Sequence, residues 1–198
     1  MSDAYRCVLL FGPPGAGKGT QGARLGKLDN CVHLATGDMF RGLDAGSELG
    51  QKVASFSSKG ELVPDAITVQ LWQSHVAGMI ARGEYSPKAD VLLLDGIPRT
   101  EAQAAIMETL IAPAAILHLV VSDLDTMVAR MKHRAETQGR ADDADEDIVR
   151  NRFTVYDRET APVLGHYDRA LVQDIDAQQS IDEVYSATSA VIAGVLAG

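Results

Sequence analysis

The side chains with the most evident chemistry are seven basic residues set in or beside short loops: Lys18, Arg41, Arg99, Arg130, Arg134, Arg140 and Arg152. Arginine grips a phosphate through its planar fork with paired hydrogen bonds, and lysine adds a point charge. Each alone is more often a surface residue than a ligand. As a set in an acidic chain, they point to phosphoryl transfer between two phosphate-bearing molecules. That reaction asks mainly for in-line positioning and neutralisation of anionic oxygens. No general base is demanded when the acceptor is already a phosphate anion, and no His–carboxylate pair is evident near the loops.

Lys18 lies in Gly12-Pro13-Pro14-Gly15-Ala16-Gly17-Lys18-Gly19-Thr20, between the apolar run Cys7–Phe11 and a more polar stretch from Gln21. The order is strand, glycine loop, helix. Gly12, Gly17 and Lys18 match the phosphate-loop pattern G-x-x-x-x-G-K. Backbone N–H groups converge on a phosphate only where no Cβ intervenes, and the following helix N-terminus adds unpaired donors. In the generic pattern a hydroxyl side chain follows the lysine to ligate magnesium. Here Gly19 stands there, with Thr20 one place later, so the loop indicates phosphate binding without choosing an enzyme. The bland account is a glycine-rich turn with no ligand, which the flanking strand and helix disfavour.

These loops need a scaffold that brings them to one edge. The apolar runs predict strands at 6–11, 31–35, 91–94, 114–121 and 171–175, the third an uninterrupted Val91-Leu92-Leu93-Leu94 as in a strand buried on both faces. Helical patterns separate them. One follows the phosphate loop to about Leu28; a glycine-punctuated one starts near Asp38, which suits an N-cap, and continues over 39–59. A helix from Pro64 or Asp65 offers Ile67, Val69, Leu71, Val76, Met79 and Ile80 as core candidates. Further helices are expected at 101–110, 123–134, 145–160 and from Ser180, the last with Ile181, Val184, Tyr185, Val191, Ile192 and Val195 at helical spacing. Alternating strands and helices predict a three-layer α/β sandwich around a parallel sheet, with ligands at the carboxyl ends of the strands. The motifs at 12–20, 36–41 and 95–100 each follow a strand and so fall at that edge. Asp95, ending a central strand, is placed to reach a magnesium–phosphate complex. Residues 36–65 form a long helical insertion between two strands, the mark of a substrate-covering segment. Residues 134–144 are polar with no core candidate. There, Asp142, Asp143, Asp145, Glu146 and Asp147 could pair with Arg130 and Arg134 on the surface. His33, inside a strand, reads as a buried or semi-buried structural histidine.

The 198 residues are 46% hydrophobic, enough for one compact domain. A net charge of −9, from 27 acidic and 18 basic residues, disfavours a nucleic-acid-binding surface. Cys7 and Cys31 have no metal-ligand spacing and read as small core residues in a reducing compartment. No apolar run approaches the roughly 18 residues of a membrane helix, and the chain enters its first strand without a signal peptide. The expectation is a cytoplasmic monomer with no membrane partner.

Gly12–Gln21, Thr36-Gly37-Asp38-Met39-Phe40-Arg41, Gly60–Ile67, Leu94–Thr100, Arg134–Arg140, Arg152 and Thr160-Ala161-Pro162 together resemble the adenylate kinases, in order and over nearly the whole chain. The resemblance implies a P-loop NTPase-type fold and one domain over 1–198: a core of 1–35, 66–133 and 145–198, an AMP-binding lobe of 36–65 and a short lid of 134–144. It implies reversible phosphoryl transfer from MgATP to AMP, giving two ADP. By the same resemblance, Gly15, Ala16, Gly17, Lys18, Gly19, Thr20, Arg130 and Arg134 would bind ATP. Thr36, Arg41, Glu61, Leu62, Val63, Gly96, Arg99, Gln103, Arg140 and Arg152 would bind AMP, Gln103 reading the adenine edge. Lys18, Arg99, Arg130, Arg134, Arg140 and Arg152 would act on the transferring group. Asp38 and Asp95 would order water around Mg2+, and the Lys-Gly-Thr order is usual in this family. Ala35 stands where serine is common, and Ile97 where phenylalanine is. A UMP/CMP kinase is the nearest alternative; Thr36, Thr100 and Gln103 favour AMP over it. A nucleotide-binding regulatory domain without turnover is the alternative of another class, which the full arginine set disfavours.

Overall fold

The strand that leads into the phosphate loop, β1 (Tyr5–Phe11), is flanked on both sides by later strands. The computed structural model describes residues 4–138 and 143–198. Four more strands, β2 (Cys31–Ala35), β3 (Val91–Asp95), β4 (Ile111–Val120) and β5 (Val172–Asp176), complete a wholly parallel sheet in the order β2-β3-β1-β4-β5. Leu92, Leu93 and Leu94 are fully buried, as a strand covered on both faces requires. β4 starts three residues before the predicted boundary, passing through Pro113. The register slips there, with Cys7 opposite Pro113 but Val8 opposite Ala115, because proline cannot donate to the ladder and settles at a bulge.

Alternate residues of the strands face two helical layers. Cys7, Leu9, Leu92, Leu94 and Ile116 pack with Trp72 and Val76 of α4 (Asp65–Ala81) and with Met107 of α5 (Glu101–Met107). On the other face, Val8, Leu10, Leu93 and Leu117 meet Leu25 of α1 (Lys18–Leu25) and Val184 and Ile192 of α8 (Ile181–Ala197). Of the α4 core candidates, Val69, Val76 and Met79 are buried while Ile80 is exposed, and Trp72 is the largest side chain that the helix buries. In α8, Ile181 lies at the exposed first turn, where Ser180 and Glu183 close a capping box. Gln21 Nε2 donates to the Ile181 carbonyl at 3.0 Å and ties α1 to α8.

The insertion after β2 is two helices, α2 (Thr36–Arg41) and α3 (Glu48–Ser57), rather than one punctuated helix. α2 starts at Thr36 with Ala35 in the cap position, so Asp38 lies inside the first turn and is not the cap. Ser47 caps α3, accepting from Gly50 N at 3.0 Å. α6 (Leu124–Gln138) runs four residues past its predicted end, and α7 (Glu146–Val155) passes into a π turn at Tyr156–Thr160. Among the described residues, no helix is long and apolar enough to cross a membrane. Both cysteines are free and buried, and burial pushes the Cys7 thiol up.

Candidate active site

Strand register fixes the geometry of the site. Leu10 of β1 and Ala35 of β2 both pair with Asp95 at the end of β3, so the phosphate loop, α2 and the 96–100 turn leave the sheet at one edge. Gly12, Gly15 and Gly17 take φ of 143°, 80° and 97°, which coil the loop before α1 begins at Lys18. Gly19 and Thr20 then lie in the exposed first turn of α1, and Ala16 is buried beneath the loop. The Lys18 ammonium donates to the carbonyls of Gly12 and Pro13 at 2.6 and 3.0 Å. Burial, and the nearby Arg99, Arg152 and Arg134, bring its pKa down from 10.5 to about 8 against the pull of Asp95.

Gly96 has φ of 81°, and a Cβ there would lie 2.7 Å from Thr36 Oγ1 and 2.6 Å from Arg99 Nη2. Glycine thus lets three elements meet at one point. Thr36 Oγ1 donates to the Gly96 carbonyl at 2.9 Å, and Arg99 Nε donates to the same oxygen at 2.8 Å. Arg99 is held at both ends, since its backbone N–H donates to Gln103 Oε1 and its carbonyl accepts from Thr160 Oγ1. Burial lowers its pKa first, and the nearby Arg152 and Arg41 lower it further.

Asp95 is ionised in this setting. Burial alone would push its carboxyl up, but His33, Lys18 and Arg99 together hold it below the usual carboxylate range. His33 Nε2 lies 3.8 Å from Asp95 Oδ2, with both side chains mostly buried. A His–carboxylate pair therefore does stand beside the loops, contrary to the reading of the sequence. It escaped notice because β2 and β3 are 56 residues apart, from Ala35 to Val91, yet adjacent in the sheet. Asp38 is paired instead with Arg41, on the exposed face of α2.

The arginines of α6 and α7 divide between partners. Asp143, expected on the surface, is fully buried between two of them. It accepts from Arg134 Nε at 2.6 Å and from Arg152 Nη1 at 2.5 Å. Arg130 donates to the Ala177 carbonyl at 3.0 Å, and Glu146 pairs with Lys132 and Arg150. Asp145 caps α7. Arg140 lies outside the described residues.

Between these elements is a cavity of about 610 Å³, within the range of small-molecule sites. Lys18, Arg41, Arg99 and Arg152 line it together with Gly96 and Gln103. Glu61, Leu62 and Val63 close another side, Val63 buried and Glu61 exposed. Phe40, Leu43, Val53, Tyr156 and Thr160 also line the cavity, none of them given a site role by the sequence, although Phe40 and Thr160 lie within its quoted motifs. A lining that joins cationic and apolar side chains suits a ligand with anionic and flat aromatic parts.

A family model described as adenylate kinase matches residues 10–172. Curated relatives, each named adenylate kinase, include one from Flavobacterium psychrophilum, 40% identical over 166 residues and covering 81% of this chain and 83% of that protein. Another, from Kocuria rhizophila, is 38% identical and covers 89% and 93%. A third, from Clavibacter michiganensis, is 40% identical and covers 94% and 92%. With the loop, the parallel sheet and the matched span in agreement, the chain belongs to the adenylate kinase family.

Proposed function

We propose that this protein transfers the terminal phosphoryl group of MgATP to AMP, reversibly, giving two ADP. One observation carries the reading. Four cations, Lys18, Arg41, Arg99 and Arg152, face one cavity, and two of them, Lys18 and Arg99, are held in less basic states by burial and by the other cations. Bound phosphates relieve that repulsion, so the site favours two anionic ligands meeting there.

In the forward direction an AMP phosphate oxygen attacks the γ-phosphorus of ATP. The new P–O bond forms as the bond to the β-phosphate oxygen breaks, and ADP leaves with that electron pair. Lys18 and the loop N–H groups hold the donor phosphates. Arg41 and Arg99, with Thr36 and Gly96 behind them, hold the acceptor phosphate, and Gln103 meets its base. Arg152, which lines the cavity, would meet the transferring group; Arg130 and Arg134 would join it by leaving their present partners, the Ala177 carbonyl and Asp143, and Arg140 would act with them. Mg2+ arriving with ATP neutralises charge on the phosphate oxygens. Asp95 fits that ion, since it is anionic beside the loop, and a Cβ at Gly19 would sit 3.7 Å from its Oδ2. Asp38 would join it through water. Closure of segment 36–65 over the substrates keeps water from competing as acceptor; residues 139–142 of the expected lid lie outside the described residues. The enzyme works as a cytoplasmic monomer.

A coupled assay across AMP, CMP, UMP and GMP tests this. AMP should give the highest kcat/KM by at least about tenfold. Equal or better turnover of CMP or UMP overturns the acceptor, and nucleotide binding without turnover of any of the four overturns the enzyme.

A further inference from the structure

We propose that Asp65 is a positioning residue for acceptor recognition: its carboxylate fixes which way the Gln103 amide faces, and so which donor–acceptor polarity the cavity presents to a base. The inference rests on the acceptor reading above. A glutamine amide keeps nearly the same shape when turned over, so its surroundings decide which end is oxygen. Here both ends are specified. Gln103 Oε1 accepts from Arg99 N at 2.8 Å, and Gln103 Nε2 donates to Asp65 Oδ1 at 2.8 Å. Turned over, the amide would set an NH2 against an N–H and an oxygen against a carboxylate. Gln103 is 1% exposed, so water does not relieve either clash.

Asp65 is itself secured. It begins α4, where the helix N-terminus favours a carboxylate. Its Oδ1 also accepts from Thr100 Oγ1 at 3.0 Å, and that hydroxyl in turn accepts from Gln103 N as the cap of α5. The first turns of α4 and α5 thus clamp one amide. Asp65 is not part of the cavity wall, whereas Gln103 is. The two contacts use one N–H and one lone pair of the amide, leaving one of each for a ligand. Adenine offers a matching edge, a ring nitrogen that accepts beside an amino group that donates. Hypoxanthine carries the reverse, a ring N–H beside a carbonyl oxygen. A locked amide therefore separates AMP from IMP, and an unlocked one separates them less.

The test measures steady-state kinetics with AMP and with IMP under saturating MgATP, and with MgATP varied under saturating AMP, for the native protein, Asp65→Ala and Asp65→Asn, with a melting curve for each. The native protein should prefer AMP. Asp65→Ala should raise KM for AMP several-fold, leave KM for ATP within about twofold, and cut the AMP-over-IMP preference about tenfold. Asp65→Asn keeps an oxygen for Gln103 but can also turn its own amide, so it should fall between the two and remain well folded. An unchanged AMP-over-IMP ratio in both variants, whatever the melting temperature does, overturns the positioning role. A native protein that turns over AMP but does not distinguish it from IMP overturns base reading by Gln103 itself, which is a different failure.

Discussion

Lys18 offers the sharpest quantitative test of the site. Its ammonium is surrounded by Arg99, Arg134 and Arg152 and partly buried, and its pKa falls from 10.5 to about 8. Below pH 8 the free enzyme carries the charge that ATP needs. Above it, each further pH unit removes the charged form roughly tenfold. The kcat/KM for ATP, which reports the free enzyme, should therefore fall with a slope of one above about pH 8, losing about tenfold by pH 9. The kcat should stay level over the same span, because bound phosphates raise the lysine pKa again. Lys18→Arg should abolish the falling limb while lowering the rate at every pH, since a guanidinium keeps its proton but cannot reproduce the ammonium geometry. Arg99→Ala should move the limb to higher pH, and Asp95→Asn to lower pH, because they remove charges of opposite sign. NMR titration of the lysine side chain reads the same value directly. A Lys18 that titrates near 10.5, or a kcat/KM flat to pH 10, would refute the reasoning. Stability follows with a definite sign. Between about 8 and 10.5 the unfolded lysine keeps a proton that the folded one has lost, so stability rises with pH across that window. Below pH 8 the burial penalty is present in full. Its ceiling is about 3 kcal/mol, reduced by water reaching the half-buried chain.

Two further outcomes are expected. Asp143→Ala takes away the carboxylate shared by Arg134 and Arg152, whose side chains are 27% and 21% exposed. The loss should be about 2–3 kcal/mol, below the figure for a fully buried pair, and thermal denaturation should show a melting point lower by roughly 5–10 °C with a reduced kcat; an unchanged melting point would mean that the triad is not structural. Arg99→Ala should raise KM for AMP by about 10–100-fold, the loss of one or two charge-assisted hydrogen bonds, with a smaller change for ATP; steady-state kinetics in which only the ATP term moves would show that donor and acceptor sides are wrongly divided.

The strands and the three loops at their ends were readable because their signals are local. An unbroken apolar run such as Val91–Leu94 has one good solution, and a glycine loop between strand and helix has another. The end of α6 was misread on polarity alone. Ala135 and Glu136 are good helix formers, and Glu136 stays exposed, so the turn continues the helix without burying polar groups. Asp143 was misplaced for the converse reason. One aspartate in an acidic run looks solvated until two arginines, 9 residues away on either side, fold onto it. The Asp65–Gln103 contact spans 38 residues and two helix starts, and nothing near either residue announces it.

The strand order also bears on how the protein is made. The phosphate loop is complete by residue 20, yet its strand has no neighbour until β3 at 91–95 and only one until β4 at 111–120. β2, made second, cannot pair with β1 at all, because β3 lies between them. A growing chain therefore carries an incompletely supported nucleotide loop until β4 is made, with both edges of β1 open until β3 and one until β4. The sheet then assembles around β1 from later segments, so the phosphate loop gains its support only after its own residues are made. N-terminal fragments ending before β4 should be sticky rather than functional, and proteolytic loss of the C-terminal half should silence the loop without touching a residue in it.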